Sequence, residues 1–301
     1  KIIWPVAQEG VLCALRMKTC HWVAIGWAQA NRICVSGKTG MLIFRSKGQS
    51  MRRNLVFVFL QIALLISIQA AEVTVAVASN FSLPMRKIVA QFEAESGHKV
   101  RLSLGSTGAF YAQIKNGGPF HLLLAADQET PARLEKEGLG LAGTRFTYAQ
   151  GRLVLWSRQA GRVDPEGEIL KAGHFQKLAL ANPKLAPYGV AAMETLQSLS
   201  LTEQLKSKFV QGENISQAYQ FVETENAQIG FVAMSQVFSE GKLLKGSAWI
   251  VPPQLYSPIQ QDAILLVAGQ KNSAAIELMR YLKTDKAKSV MSAYGYSHLT
   301  H

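Results

Sequence analysis

Between Val73 and Gly97 the hydrophobic positions change period once. Val73, Val75 and Val77 alternate as in a β-strand, and Phe81, Met85, Ile88, Val89 and Phe92 then recur at helical spacing. Pro84 fits a first helical turn and Gly97 a helical stop. The same change of period follows twice more. Val100, Leu102 and Leu104 alternate up to Gly105-Ser106-Thr107-Gly108, after which AFYAQIK reads as a helix ending at Asn116-Gly117-Gly118. Leu122 to Ala125 then leads through Asp127, a suitable N-cap, into QETPARLEKEG. Three successive strand–helix units predict a parallel sheet whose loops line up along one edge. Ser79 and Asn80 lie where a strand hands over to a helix. There, free backbone N–H groups and the positive end of the helix dipole receive anions.

Beyond Gly140 the pattern continues less regularly. Arg152 to Trp156 reads as a strand, Asp164 to Gly167 as a turn, and Lys177 to Ala181 as a strand. Asn182 to Gly189, with two prolines, reads as a rigid loop before a helix-like AAMETLQSL. Glu213-Asn214 precedes a helix-like ISQAYQFVET, and Gln228 to Ala233 is a short buried strand. Ser247 to Val251 runs into Pro252-Pro253, Gln261 to Ala268 gives one more strand, and Ser273 to Leu282 a last amphipathic helix. This is an α/β chain of two lobes, with residues 71–150 and 257–301 in lobe I and 151–256 in lobe II. No repeat or low-complexity segment interrupts it.

The first seventy residues read differently. Residues 1–50 lack either periodicity, yet hold three of the five Trp and all three Cys. Met51 opens a basic MRRN, an apolar run of 14 residues from Leu55 to Ile68, and a small-residue exit. That is the order of a secretory signal peptide, and it is shorter than the roughly twenty residues a membrane span needs. The reading is therefore upstream translation over 1–50, a signal peptide over 51–70, and a mature protein starting near Ala71. An N-terminal structural extension is the alternative.

This reading changes the meaning of the charge. Nine of the Lys and Arg residues and one acid fall within 1–70, which supplies +8 of the formal +12 and leaves 23 bases against 19 acids, or +4, for the rest. No basic stripe interleaved with aromatics remains, so nucleic acid is not an expected partner. Cys13, Cys20 and Cys34 with His21 match no usual zinc spacing.

The loop residues at the strand ends are chemically uniform: Ser79, Asn80, Ser106, Thr107 and Tyr188 are neutral. An enzyme would place a titratable group, a nucleophile–base pair or a metal ligand there. His98, His121, His174, His298 and His301 have no spacing partner, and G-x-S-x-G, H-E-x-x-H and P-loop motifs are absent. Neutral donors without a catalytic group point to a pocket that holds something.

AVASNF, LGSTG, LLLAADQE, LANPKLAPYG and IGFVAMS, in that order, resemble the periplasmic molybdate-binding proteins of bacterial ABC importers, over essentially Val73 to Leu299. The resemblance implies the two-lobed periplasmic-binding fold of the second type, each lobe a mostly parallel sheet flanked by helices, with two crossover strands as hinge. It implies capture of molybdate or tungstate between the lobes and delivery to a membrane permease, by a periplasmic monomer that needs no cofactor and is no enzyme. Carried over residue by residue, Ser79 and Asn80 match the first oxyanion loop and Ser106 and Thr107 the second. Tyr188 matches a loop residue whose backbone N–H, and hydroxyl, close over the anion. Ile215 matches a backbone donor at a helix start. Molybdenum is then held as its oxyanion, with no direct metal ligand. One branch of the family has a tyrosine after its Gly-aliphatic-Val strand; here Ala233 follows Gly230-Phe231-Val232.

Plainer readings stand beside these. Ser79 and Asn80 suit a helix cap, Thr107 an ordinary turn, and Tyr188 a packed aromatic. Asp127 and Glu129 read as capping and solvated residues, since a carboxylate repels a dianion. The rival ligands are other tetrahedral oxyanions, sulfate or phosphate; the rival class is an enzyme or regulatory effector domain on the same scaffold.

Overall fold

The computed structural model of the chain describes residues 70–297. The upstream stretch, the signal-peptide segment up to residue 69, the three cysteines, His298 and His301 lie outside the described residues.

The chain starts with β1 (Glu72–Ala78), a 3-10 turn over Ser79–Phe81, α1 (Ser82–Ser96), β2 (Lys99–Gly105) and α2 (Thr107–Lys115). β3 (Leu122–Leu124), α3 (Glu129–Lys136) and β4 (Phe146–Gly151) follow. A single exposed residue, Arg152, then leads into β5 (Leu153–Ser157). Next come α4 (Ile169–Ala172), β6 (Leu178–Ala181), α5 (Pro187–Ser198), α6 (Thr202–Leu205), β7 (Phe209–Gly212), α7 (Ile215–Glu223) and β8 (Ile229–Ala233). A short α8 (Met234–Val237) and the ribbon β9 (Phe238–Ser239) and β10 (Lys242–Leu243) precede β11 (Ser247–Ile250). After Pro252-Pro253 the chain returns through β12 (Ile259–Leu265) to α9 (Ser273–Tyr281) and α10 (Asp285–Ala293).

Two five-stranded sheets result, ordered β2-β1-β3-β12-β4 and β11-β5-β8-β6-β7. Each has four strands running one way and one reversed: β12 pairs antiparallel with β3 and β4, and β5 pairs antiparallel with β8 and β11. The reversed strands are the ones on which the chain enters its new sheet, which is why the sheets are mixed rather than purely parallel. β4 and β12 pair right up to Gly151 and Ile259, so the two connections between lobes leave from one two-stranded ribbon.

Each sheet buries its apolar faces against helices. One face of the first sheet packs Val73, Val75 and Val77 against Phe81, Met85, Ile88, Phe92, Leu278 and Met291. Its other face packs Ala76 and Leu123 on Phe110, Ile114 and Leu134. The second sheet has one large core built on Leu155, Leu180 and Phe231. Helix ends are set locally: Gly97, with φ at 73°, returns its N–H to the Glu93 carbonyl at 3.0 Å, a left-handed stop that glycine adopts without strain.

The α/β pattern is as expected, with several local corrections, among them β7, where only Phe209 and Val210 are apolar and no alternation announces the strand. FTYAQG forms β4, a strand the periodicity does not announce because the adjacent Tyr148 and Ala149 break its apolar alternation. The segment ending at Gly189 is not wholly loop: the fixed φ of Pro187 starts α5 there, so Tyr188 and Gly189 are helical. β12 spans Ile259–Leu265 rather than 261–268. The helix after Ser273 is not the last, since Thr284 caps α10 by accepting from Ala287 N at 3.4 Å.

Phe92 is 1 % exposed and meets Tyr281 edge to face at 5.5 Å. Phe92→Ala should lower stability by about 3–5 kcal/mol. Urea unfolding measures this, with the midpoint falling and the slope unchanged.

Candidate functional site

All six residues singled out in the sequence line one small cavity between the sheets. Its wall comprises Ala78, Ser79, Asn80, Gly105, Ser106, Thr107, Ala126, Ala186, Pro187, Tyr188, Asn214 and Ile215, and its volume is about 10 Å³. That is the scale of a single water-sized sphere, so the occupant has only a few atoms. No lining residue carries a charge. Ser79, Asn80, Ser106, Thr107, Tyr188 and Ile215 are each at most 5 % exposed.

The sequence folds this way because each strand here ends in small polar residues and hands over to a helix. Thr107 is the first residue of α2, Tyr188 the second of α5 and Ile215 the first of α7. The helical ladder uses none of these N–H groups. Each helix start also presents roughly half a positive charge. The cavity is therefore electropositive without containing a cation.

The side chains divide into free and committed donors. Ser106 is extended, at φ −89° and ψ 152°, and does not cap α2; among the described residues its hydroxyl has no partner. Thr107 Oγ1 accepts from Ala126 N at 2.9 Å and keeps its own proton to give. Ser79 Oγ donates to Asn214 Oδ1 at 3.2 Å and accepts from Ser216 N at 3.4 Å, so it bridges the cleft. Neither Ser79 nor Asn80 makes a side-chain cap, which removes the plain capping reading. Both hydrogens of the Asn80 amide are taken, by Gln261 Oε1 at 2.9 Å and Tyr296 OH at 3.0 Å. Asn80 thus faces the cavity with its backbone.

Tyr188 is corrected in a second respect. Its hydroxyl accepts from Gln261 Nε2 at 3.3 Å and lies against Gly151, where the chain leaves the first sheet. What Tyr188 offers the cavity is its helical N–H. Asp127, one residue ahead of the N-cap of α3, accepts from Thr130 N at 2.9 Å; burial pushes its carboxyl above the usual range while the Thr130 bonds pull the other way. Glu129 is exposed.

Sequence reasoning missed the polar cluster behind the cavity. Tyr148 OH donates to Gln261 Oε1 at 2.9 Å, Ser235 Oγ to the Asn80 carbonyl at 2.7 Å, and Tyr296 OH lies 2.9 Å from that carbonyl and 3.1 Å from Ser235 Oγ. Burial raises the phenols of Tyr148 and Tyr188 well above the ordinary tyrosine value, and that of Tyr296 to about 12. Asn214 was also missed as a site residue. It caps α7, its Oδ1 accepting from Ser216 N at 3.0 Å and Gln217 N at 3.1 Å. A polar residue before an apolar helical run is the local signal that finds it. Among the described residues no group of three His, Cys, Asp or Glu is placed to hold a metal ion, and no helix is long and apolar enough to cross a membrane.

Residues 73–297 match the family of bacterial extracellular solute-binding proteins. The chain belongs to that family. A relative from Azotobacter vinelandii, the molybdate-binding protein ModA, is 58 % identical over 228 residues, 76 % of this chain and 90 % of the relative. ModA of Rhodobacter capsulatus is 45 % identical over 249 residues, 82 % of this chain and 97 % of the relative. Among solved structures, a periplasmic molybdate-binding protein of Azotobacter vinelandii superposes with a TM-score of 0.74 at 35 % identity, covering 76 % of this chain and all of that one. The sulfate-binding protein SubI of Mycobacterium tuberculosis, at 13 % identity and a TM-score of 0.61, shares the fold. This solute-binding protein therefore has the two-lobed α/β fold expected of it.

Two outcomes are expected from this geometry. Gly108 N donates to the Leu185 carbonyl across the cleft at 2.9 Å, and a Cβ on Gly108 would stand 3.1 Å from that oxygen. Gly108→Ala should therefore crowd this contact by a few tenths of an ångström, and urea unfolding should show a modest loss of stability relative to wild type. Stability should also fall as pH rises through the tyrosine range. The folded chain keeps the Tyr148, Tyr188 and Tyr296 protons above pH ~10, where the unfolded chain loses them, so the contribution is complete below ~10 and fades towards the folded value of Tyr296, about 12. Urea melts at pH 8 and pH 11 should show the loss in wild type and a smaller loss in Tyr296→Phe.

Proposed function

We propose that this chain captures molybdate, and tungstate with it, in the cavity between its lobes and delivers the anion to the membrane permease of an ABC importer. The carrying observation is a buried, charge-free cavity of a few atoms' volume on which three helix starts converge. The names of relatives at 58 % and 45 % identity support the choice of anion. In this reading the donors are the backbone N–H groups of Ser79, Asn80, Thr107, Tyr188 and Ile215 with the hydroxyls of Ser106 and Thr107. Ser79 Oγ serves closure. Lobe I comprises 71–150 and 257–301 and lobe II 151–256, and the ribbon of β4 and β12 is the hinge. The protein works as an exported periplasmic monomer, without cofactor or catalytic group.

Burying a dianion without partners is prohibitive, and neutral donors replace its hydration without titrating near neutral pH. Most of them are backbone N–H groups that cannot accept, so the proton of an anion such as hydrogen phosphate finds few acceptors in this wall. Sulfate carries the same charge and shape as molybdate with shorter bonds. Donors fixed on rigid helix starts then miss it, at about 1–3 kcal/mol for each one left unsatisfied.

Thermal melting tests this directly. Ligand at about a hundred times its dissociation constant adds roughly 2.7 kcal/mol of stability. Molybdate and tungstate at equal micromolar concentration should raise the melting temperature alike, while sulfate and phosphate leave it unchanged. A sulfate shift as large as that of molybdate would reassign the ligand. Ser106→Ala should weaken molybdate binding about ten- to a hundred-fold in calorimetric titration, the loss of one hydrogen bond to a charged group.

A further inference from the structure

Gln261 is fully buried, lies outside the cavity wall, and joins residues of both lobes. It sits in β12 where the register with β4 shifts between Gln261 and Asp262, an irregularity that re-aims a side chain. Its Oε1 accepts from Asn80 Nδ2 at 2.9 Å, and Tyr148 OH, 2.9 Å from both this oxygen and the Ala125 carbonyl, shares its one proton between them. Its Nε2 donates to Tyr188 OH at 3.3 Å. Asn80 and Tyr188 both line the cavity, from opposite lobes. The amide of Gln261 therefore connects the two walls of the site from behind.

The neighbourhood encloses the amide on all these sides. Tyr148, Tyr188, Tyr296 and Asn80 are each at most 5 % exposed, and Gly151 has no side chain because Tyr188 OH and Gln261 Nε2 occupy that space. Pulling the lobes apart separates Tyr188 from Gln261 and Ser235 from the Asn80 carbonyl. Buried polar groups that lose partners are penalised more than the mean worth of a hydrogen bond. These bonds form only when the lobes meet, so they favour the closed form whether or not an anion is present. An anion that binds only the closed form then has an apparent dissociation constant divided by the closed fraction.

We propose that Gln261, acting through Tyr188 OH, is a positioning residue that latches the closed form and sets the residence time of the anion without touching it. The proposal rests on the capture reading above. It differs from a ligand role because it predicts an effect common to all anions, and from a purely structural role because it predicts an effect on closure in a folded protein.

The test compares wild type, Tyr188→Phe, Gln261→Leu and the double variant. Tyr188→Phe removes one oxygen and keeps the ring and the helical N–H, so it tests the latch even if Gln261→Leu does not fold. Near-ultraviolet dichroism and melting establish folding. In stopped-flow and titration with molybdate and with tungstate, Tyr188→Phe should raise the dissociation constant about two- to ten-fold. The rise should lie in the dissociation rate, with the ratio of the two affinities unchanged. The double variant should be no weaker than the weaker single variant, since both remove the same bond. Scattering of the unliganded proteins should show Tyr188→Phe more extended than wild type. Wild-type affinity in folded Tyr188→Phe, or an altered molybdate-to-tungstate ratio, would overturn the latch. If wild type itself binds neither anion, the capture reading fails, and the unliganded scattering still decides: an unchanged profile overturns the latch and an extended one upholds it.

Discussion

A doubly charged anion taken out of water must find its hydration replaced donor for donor, and the rest of this structure follows from that constraint. Cations would supply the attraction but would also hold any anion, and would bind it hardest where selectivity matters least. In the capture proposed above, helix starts take their place. α2, α5 and α7 each bring N–H groups that the helical ladder leaves over. To aim them at one point, three strands must end together, and this is what the parallel parts of the two sheets provide.

The same constraint explains why two lobes are needed. Donors on one surface cover half an anion; full coverage takes a second surface that closes and, to release the cargo, opens. Closing brings backbone within van der Waals reach of backbone, as at Gly108 and Leu185, where the absence of a Cβ eases the approach that makes the 2.9 Å bond. Behind the cavity the tyrosines, Gln261, Asn80 and Ser235 satisfy one another almost completely. A network that is fully paired in one arrangement and broken in another is a two-state element. Here it stands where the chain crosses between lobes.

Much of the architecture was legible in the sequence because the elements that build it are periodic. β1 and α1 share one unbroken change of period, and Gly97 marks its end with the positive φ that a left-handed stop requires. β4 was not legible: its buried neighbours Tyr148 and Ala149 are adjacent, which breaks the alternation begun by Phe146 and Thr147. α10 escaped because its core contact is only Ala287, Val290 and Met291. The six cavity residues were readable as neutral residues at strand ends, and the fold does bring them together. What each does was less readable. Asn80 reaches Gln261 and Tyr296 across sequence separations of 181 and 216 residues, and no local pattern foretells that its amide is consumed there. Prolines usually mark loops, but Pro187 opens a helix, and the Tyr188 phenol reaches Gln261.

In the proposed capture, hydrogen bonds from neutral groups, and no direct protein–metal bond, hold the cargo. X-ray absorption at the molybdenum edge of the protein saturated with molybdate distinguishes the two. The spectrum should show the tetrahedral oxygen shell of free molybdate, unchanged in number and distance. An additional oxygen or nitrogen neighbour donated by the protein, with expansion beyond four-coordination, would contradict it.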